Sequence, residues 1–78
     1  MRKRATPDIR ERFGFALKTR REELGLTQEE FAERAGIHRT YLSDVERGSR
    51  NLSLINVERL VQVLDLSLAD MFRRVEKG

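Results

Sequence analysis

The chain contains no cysteine and no tryptophan, and it has one proline, one tyrosine and one histidine among its 78 residues. Without cysteine, neither a disulfide nor a thiolate metal site can form. Because His38 has no second histidine and no cysteine to work with, nucleophilic triads and histidine-rich metal sites are excluded as well. We therefore expect no catalytic residues, no cofactor and no metal.

Long apolar runs are also missing. No segment approaches the roughly 20 apolar residues of a membrane span, and the basic amino-terminal end lacks the apolar region of a signal peptide. A chain this short buries only about 60% of its unfolded surface, so an oligomeric partner would help to stabilise it. We expect one small cytoplasmic domain that does not associate with membranes.

Positive charge is concentrated near the amino terminus. Residues 1–21 hold eight Lys or Arg against two Asp or Glu, whereas residues 22–36 hold one against five. This distribution favours local contact with phosphate over a uniformly basic surface. We assign residues 1–6 to a basic, flexible arm, residues 7–75 to the domain and residues 76–78 to a tail. The arm either follows the backbone or minor groove of a nucleic acid or is a disordered tail that only solubilises the chain.

Start and stop signals predict five helices and no strand. The first covers residues 7–24, with Thr6 as its cap and Gly25 after its end. Within it, Gly14 costs about 1 kcal/mol relative to alanine. After the two central helices described next, Ser53 caps a helix with an apolar stripe that includes Leu54. A second serine, Ser67, begins a short final helix.

The two central helices flank a glycine turn. Thr27 and Glu30 form a capping box at the start of the first, and Gly36 can take the left-handed conformation that ends it. On the second helix, one side is apolar and the other is polar, the polar residues being Arg39, Thr40, Ser43, Asp44 and Arg47. A charged surface helix also has a polar face, but the combination is typical of a helix-turn-helix that reads DNA.

Two segments resemble the lambda-repressor/Cro-like (Xre-type) helix-turn-helix family, and the similarity extends over roughly residues 13–72. They are LGLTQEEFA at residues 24–32 and YLSDVERG at residues 41–48. More narrowly, Arg39-Thr40-Tyr41 followed by SRNLS at residues 49–53 is similar to the controller proteins of restriction–modification systems. The resemblance implies an all-α, five-helix DNA-binding transcriptional regulator. It would act as a homodimer on double-stranded DNA, at an operator of two half-sites.

Individual residues receive roles from this interpretation. An arginine can make a forked contact to guanine, and short polar side chains can meet neighbouring bases. We predict that bases are read by Arg39 and Thr40, and that Ser43 and Asp44 either make secondary base contacts or position a neighbouring side chain. The resemblance implies that the DNA backbone is held by Gln28, Tyr41, Arg47, Ser49, Arg50 and Asn51. Departures from close relatives are His38, where a small polar cap is commoner, and Asp44, whose charge needs a donor nearby.

Two further roles concern structure and assembly. Glu46 lies at the edge of the apolar side, and the resemblance implies that it pairs with Arg21 near the end of the first helix. The last helices carry more apolar surface than a terminal helix of two turns can bury, and the family commonly dimerises through this end. The interface is expected to include Leu66, Leu68, Met71, Phe72 and Val75.

Two alternatives remain open at this stage. The chain could be an antitoxin-type autoregulator that also binds a protein toxin, although only residues 73–78 follow the last apolar helix. It could bind RNA, but its aromatic residues fall mostly in apolar stripes and not on a stacking platform.

Overall fold

The computed structural model of the protein describes residues 7–77, which form five α-helices and no strand. The helices are α1 (Ile9–Glu23), α2 (Gln28–Ala35), α3 (Arg39–Glu46), α4 (Leu54–Val63) and α5 (Leu68–Lys77). The predicted all-α, five-helix fold is confirmed. The arm assigned to residues 1–6 lies outside the described residues, and residues 76 and 77, assigned to a tail, continue α5. None of these helices combines the length and apolar character needed to cross a membrane.

Short-range signals set the ends of α2 and the start of α4. Thr27 Oγ1 accepts the N–H of Glu30 at 3.1 Å, and Glu30 Oε1 accepts the N–H of Thr27 at 2.9 Å, which is the capping box expected from the sequence. Gly36 ends α2 in the left-handed conformation with φ 69°. Ser53 caps α4 by accepting the N–H of Asn56 at 3.1 Å. These bonds satisfy backbone groups that a helix end otherwise leaves unpaired.

The start of α1 differs from the prediction. Asp8 is the N-cap, and its Oδ1 accepts the N–H of Arg10 at 2.7 Å. The helix therefore begins at Ile9 and not at Pro7, while the predicted cap Thr6 lies outside the described residues. A carboxylate is a strong cap that also complements the positive end of the helix dipole, so Asp8 satisfies this end itself.

A single apolar core holds the five helices together. Its members come from every helix and from two of the connections, and they are Phe13, Ala16, Leu17, Leu26, Phe31, Ala32, Ala35, Leu42, Val45, Val57, Leu60, Val61, Leu64, Met71 and Val75. Arg21 is the buried charged residue of the described chain, with 7% of its surface exposed. Met71 and Val75 are 0% and 1% exposed, so they complete this core.

Backbone-to-backbone contact joins α1 to the carboxyl end of α3. A Cβ atom at Gly14 would lie 2.4 Å from the carbonyl oxygen of Val45 and 2.6 Å from that of Glu46. Just beyond α3, a Cβ atom at Gly48 would lie 2.7 Å from the Cα atom of Glu11. Because no side chain fits between the two elements, α1 fixes where α3 ends and how its outer face is presented.

Candidate nucleic-acid interface

The outer face of α3 carries the residues predicted to read bases. Leu42 and Val45 are 0% and 2% exposed and hold the opposite face against the core. On the outer face Arg39 and Thr40 are exposed, whereas Ser43 and Asp44 are half-buried. His38 is the N-cap of this helix, and its side chain makes no capping hydrogen bond. The face is polar and faces solvent, as a reading helix requires.

A chain of hydrogen bonds connects the outer face of α3 to the interior. Arg39 Nη1 donates to Gln28 Oε1 at 3.3 Å, and Gln28 Nε2 donates to Glu46 Oε1 at 3.0 Å. Glu46 in turn accepts from Arg21, whose Nε lies 2.7 Å from Oε2 and whose Nη2 lies 3.1 Å from Oε1. Through Gln28, the exposed side chain of Arg39 is therefore held in position by the buried carboxylate of Glu46.

The pair formed by Arg21 and Glu46 is buried and bidentate. The two side chains are 8% and 4% exposed, and Arg21 Nη1 also donates to the carbonyl oxygen of Leu26 at 2.7 Å. The hydrogen bond to Glu46 raises the pKa of Arg21 above its ordinary value. Buried charges are tolerated when they are paired and hydrogen-bonded, and removing one partner of such a pair costs about 3–5 kcal/mol. The pair therefore ties α1 to α3 at the base of the candidate interface.

A second charged cluster lies at the carboxyl end of α3 around Asp44. Arg47 Nη2 donates to Asp44 Oδ1, and Arg47 Nη1 donates to Ser43 Oγ at 2.8 Å. From the following loop, Arg50 donates to Asp44 Oδ2 with Nε at 3.3 Å and Nη2 at 3.2 Å. The donors that the charge of Asp44 requires are therefore supplied by Arg47 and Arg50.

The aromatic ring of Tyr41 packs against the Arg50 guanidinium of this cluster. The guanidinium carbon of Arg50 lies 5.0 Å from the centre of the Tyr41 ring, within the range of a cation–π interaction. Tyr41 Oη accepts a hydrogen bond from Asn56 Nδ2 at 3.2 Å. Asn56 could not be singled out by sequence analysis, because its partner is 15 positions away in the chain.

The loop after α3 brings the remaining predicted backbone contacts to the same surface. Ser49 donates to the carbonyl oxygen of Asp44 through both N and Oγ, each at 3.0 Å. Asn51 Oδ1 accepts from Arg10 Nη1 at 3.3 Å. All three are exposed: Ser49 and Arg50 lie beside Asp44 on α3, whereas Asn51 lies beside Arg10 on α1. The structure thus places Ser49 and Arg50 next to Asp44, which is predicted to contact bases or position a neighbour, and joins Asn51 to α1 through Arg10, 41 positions earlier in the chain.

A separate apolar patch lies where α4 begins and α5 begins. Leu54, Ile55 and Leu68 are 84%, 72% and 42% exposed, and Phe72 beside them is half-buried. Leu54 was expected in the core stripe of α4, but its position in the first turn leaves it outside the core. Two residues expected at the dimer interface, Met71 and Val75, are instead buried in the core of the monomer. Of that set, Leu66, Leu68 and Phe72 retain exposed surface.

Comparisons with known proteins agree with this arrangement. The family model described as Helix-turn-helix matches residues 17–71. Control protein C.MunI of Mycoplasma sp is 44% identical over 71 residues, which cover 90% of this chain and 96% of that protein. Among solved structures, the clp gene regulator ClgR from C. glutamicum has a TM-score of 0.89 at 32% identity and covers 96% of both chains. The restriction–modification controller protein C.Esp1396I, solved as a tetramer with its natural 35-base-pair operator, has a TM-score of 0.84 at 33% identity. That match covers 92% of this chain and 95% of the other.

Proposed function

This chain belongs to the helix-turn-helix family, and on that premise we propose that it is a sequence-specific transcriptional regulator that binds double-stranded DNA as a homodimer. The observation that carries the proposal is the outer face of α3. It is polar, it is flanked by Arg47 and Arg50, and its far side is anchored in the core by Leu42 and Val45. A helix presented in this way has the dimensions and chemistry to enter the major groove.

The relatives suggest which kind of regulator this is. C.MunI and C.Esp1396I are controller proteins by name, and the latter has been solved on its own operator. We propose that the present chain likewise controls the genes of a restriction–modification system. The relatives reported above are controllers and regulators, so they do not favour the antitoxin alternative. As a regulator, the chain acts by binding and not by catalysis, in the cytoplasm where the DNA lies.

On DNA, one set of residues contacts the bases and the other contacts the phosphates. Arg39 at the amino end of α3 reaches a guanine, and Thr40 and Ser43 contact neighbouring bases. The phosphates on either side are held by the backbone set, which consists of Gln28, Tyr41, Arg47, Ser49, Arg50 and Asn51. For Gln28 the contact is made by its backbone N–H, because this residue opens α2 and has no acceptor within that helix.

Homodimerisation covers the apolar patch. Leu54 and Ile55 at the start of α4 face solvent beside Leu68 and Phe72. A two-fold axis through this patch would bury these side chains against the same patch of the second copy. The two α3 helices would then meet successive major grooves about 34 Å apart, one turn of DNA.

Selection of bound duplexes from a random DNA pool tests the proposal. We expect a palindrome of two half-sites whose centres lie about 10 base pairs apart or a multiple of that spacing. Sedimentation with and without the selected duplex measures assembly, with Ile55→Glu as the variant that should dissociate the dimer. A pool that yields no enriched sequence would contradict sequence-specific binding. A chain that remains monomeric at tens of micromolar, with or without the duplex, would contradict the homodimer.

A further inference from the structure

We propose that Asp44 is a positioning residue that sets Arg47 and Arg50 for contact with DNA phosphates, and that it does not read a base. The inference rests on the function proposed above and changes the role of one residue within it. It follows from the hydrogen bonds around the carboxylate and from the exposure of the three side chains.

The carboxylate of Asp44 lies between two guanidinium groups from opposite sides of the Gly48 turn. Its Oδ1 accepts from Arg47, and its Oδ2 accepts twice from Arg50. The Asp44 side chain is 20% exposed, whereas Arg47 and Arg50 are 63% and 49% exposed. The negative charge is therefore covered by the groups it binds, and the positive charges face solvent.

This arrangement is poorly suited to reading a base. A carboxylate reads cytosine by accepting a hydrogen bond from its amino group, which requires an oxygen directed into the groove. Both oxygens of Asp44 are already directed at arginines. An uncovered carboxylate would also repel the phosphates on both sides of the groove.

The arginines, by contrast, keep donors for a ligand. A guanidinium has five N–H groups in a fixed plane. Arg50 uses Nε and Nη2 on Asp44, and the N–H groups of its Nη1 have no acceptor within residues 7–77. The Tyr41 ring, 5.0 Å from the guanidinium carbon, supports the other side of the group. Because Arg50 is fixed before it meets DNA, less side-chain entropy is lost on binding.

A double-mutant cycle on DNA affinity tests the assignment. Dissociation constants are measured for the unsubstituted chain, Asp44→Ala, Arg50→Ala and the double variant, on the selected operator and on a scrambled duplex, at several salt concentrations. We expect Asp44→Ala to weaken binding to both duplexes by about tenfold and to make the salt dependence shallower. In the Arg50→Ala background the same substitution should cost clearly less, because only the positioning of Arg47 is then lost while a negative charge is removed.

Asp70→Ala is the matched control. Asp70 accepts from Arg73 three positions later, as Asp44 accepts from Arg47, but it lies on α5 away from the candidate interface. This variant loses the same charge and the same type of helical pair, so we expect its DNA affinity to stay within about twofold of the unsubstituted chain. Asp44→Asn keeps the shape of the side chain and one acceptor, and it serves if Asp44→Ala fails to fold. We expect Asp44→Asn to give a smaller loss, again on both duplexes.

The other outcomes each overturn the assignment. Tighter binding of Asp44→Ala to both duplexes would mean that Asp44 only repels phosphate. A loss confined to the operator would mean that it reads a base, and an equal loss in the Arg50→Ala background would mean that the arginine is not involved. Unchanged affinity would remove any role in binding. If the unsubstituted chain binds neither duplex, the proposed function itself fails, which is a distinct result.

Discussion

Replacing Gly14 by alanine is expected to destabilise the protein, although alanine is the better helix former. At an open position in a helix, this change gains about 1 kcal/mol. At Gly14 the added methyl group would lie 2.4 Å from Val45 O and 2.6 Å from Glu46 O, where ordinary contact begins at 3.4 Å. Both obstacles are backbone atoms of a packed helix, so no side chain can rotate away. The helices α1 and α3 would have to separate by roughly 1 Å.

The magnitude follows from the two opposing effects. Forcing an extra methyl group into a packed core typically costs about 1–3 kcal/mol. Separation of α1 from α3 also stretches the bond of 2.7 Å between Arg21 and Glu46, which joins the same two helices. Because both obstacles are backbone atoms, we take the upper part of that range, about 2–3 kcal/mol, and subtracting the gain of about 1 kcal/mol in helix propensity leaves a net loss of about 1–2 kcal/mol in the free energy of unfolding. Each kcal/mol lowers Tm by about 4–8 °C in a domain of this size.

Urea unfolding followed by circular dichroism measures this loss. Lys18 is exposed on the same helix, so the difference between Lys18→Ala and Lys18→Gly gives the intrinsic cost of glycine in α1. If Gly14→Ala stabilised the protein by that same amount, the two helices would be free to move apart. Close backbone packing would then not be what requires glycine at this position.

Three other predictions can be checked with single variants. Arg39→Ala should lose about 1–3 kcal/mol on the selected operator and much less on scrambled DNA in salt-resolved titrations, and equal losses would make Arg39 a phosphate contact. Glu46→Ala should lower the free energy of unfolding by about 3–5 kcal/mol because it strands the charge of Arg21, and a loss under 1 kcal/mol would mean that solvent reaches the pair. Hydrogen bonds from Arg74 and, to a smaller extent, from Arg20 lower the pKa of Glu23 below its ordinary 4.5. That contribution to stability is present above this pH and is lost as the pH falls through the lowered pKa, so Glu23→Gln should flatten the acid side of a plot of Tm against pH.

The helices were predictable because their ends depend on neighbouring residues. The capping box of Thr27 and Glu30 lies within four positions, and the left-handed turn at Gly36 needs only the absence of a Cβ atom. Gly14 was understood less well, since its helix-weakening effect is local but its reason lies on α3, more than 30 positions along the chain. Helix propensity alone predicts that Gly14 destabilises α1, whereas its close contact with α3 requires a residue without a side chain.

The candidate site was predictable to a similar degree. Periodicity placed Arg39 and Thr40 on the outer face of α3, where the structure has them. Periodicity did not indicate that Arg50 would contact Asp44, because Arg50 lies in a loop, where side chains follow no helical repeat. Exposure was also difficult to assign near helix ends. Leu54 is apolar and lies in the first turn of α4, yet it is left outside the core, whereas Met71 was expected outside and lies within it.

The separation between the two faces of α3 has a consequence for how such a protein diversifies. Thr40 is exposed and shares no side-chain hydrogen bond with the core within residues 7–77, so changes there should be largely additive with changes at Val45, which is buried five positions along the helix. If Thr40 contacts a base as proposed, new operator preferences can be acquired there with little loss of stability. Arg39 is different, because its bond to Gln28 leads to the buried carboxylate of Glu46. Lineages that change the residue at Arg39 are therefore expected to change its partner on α2 as well.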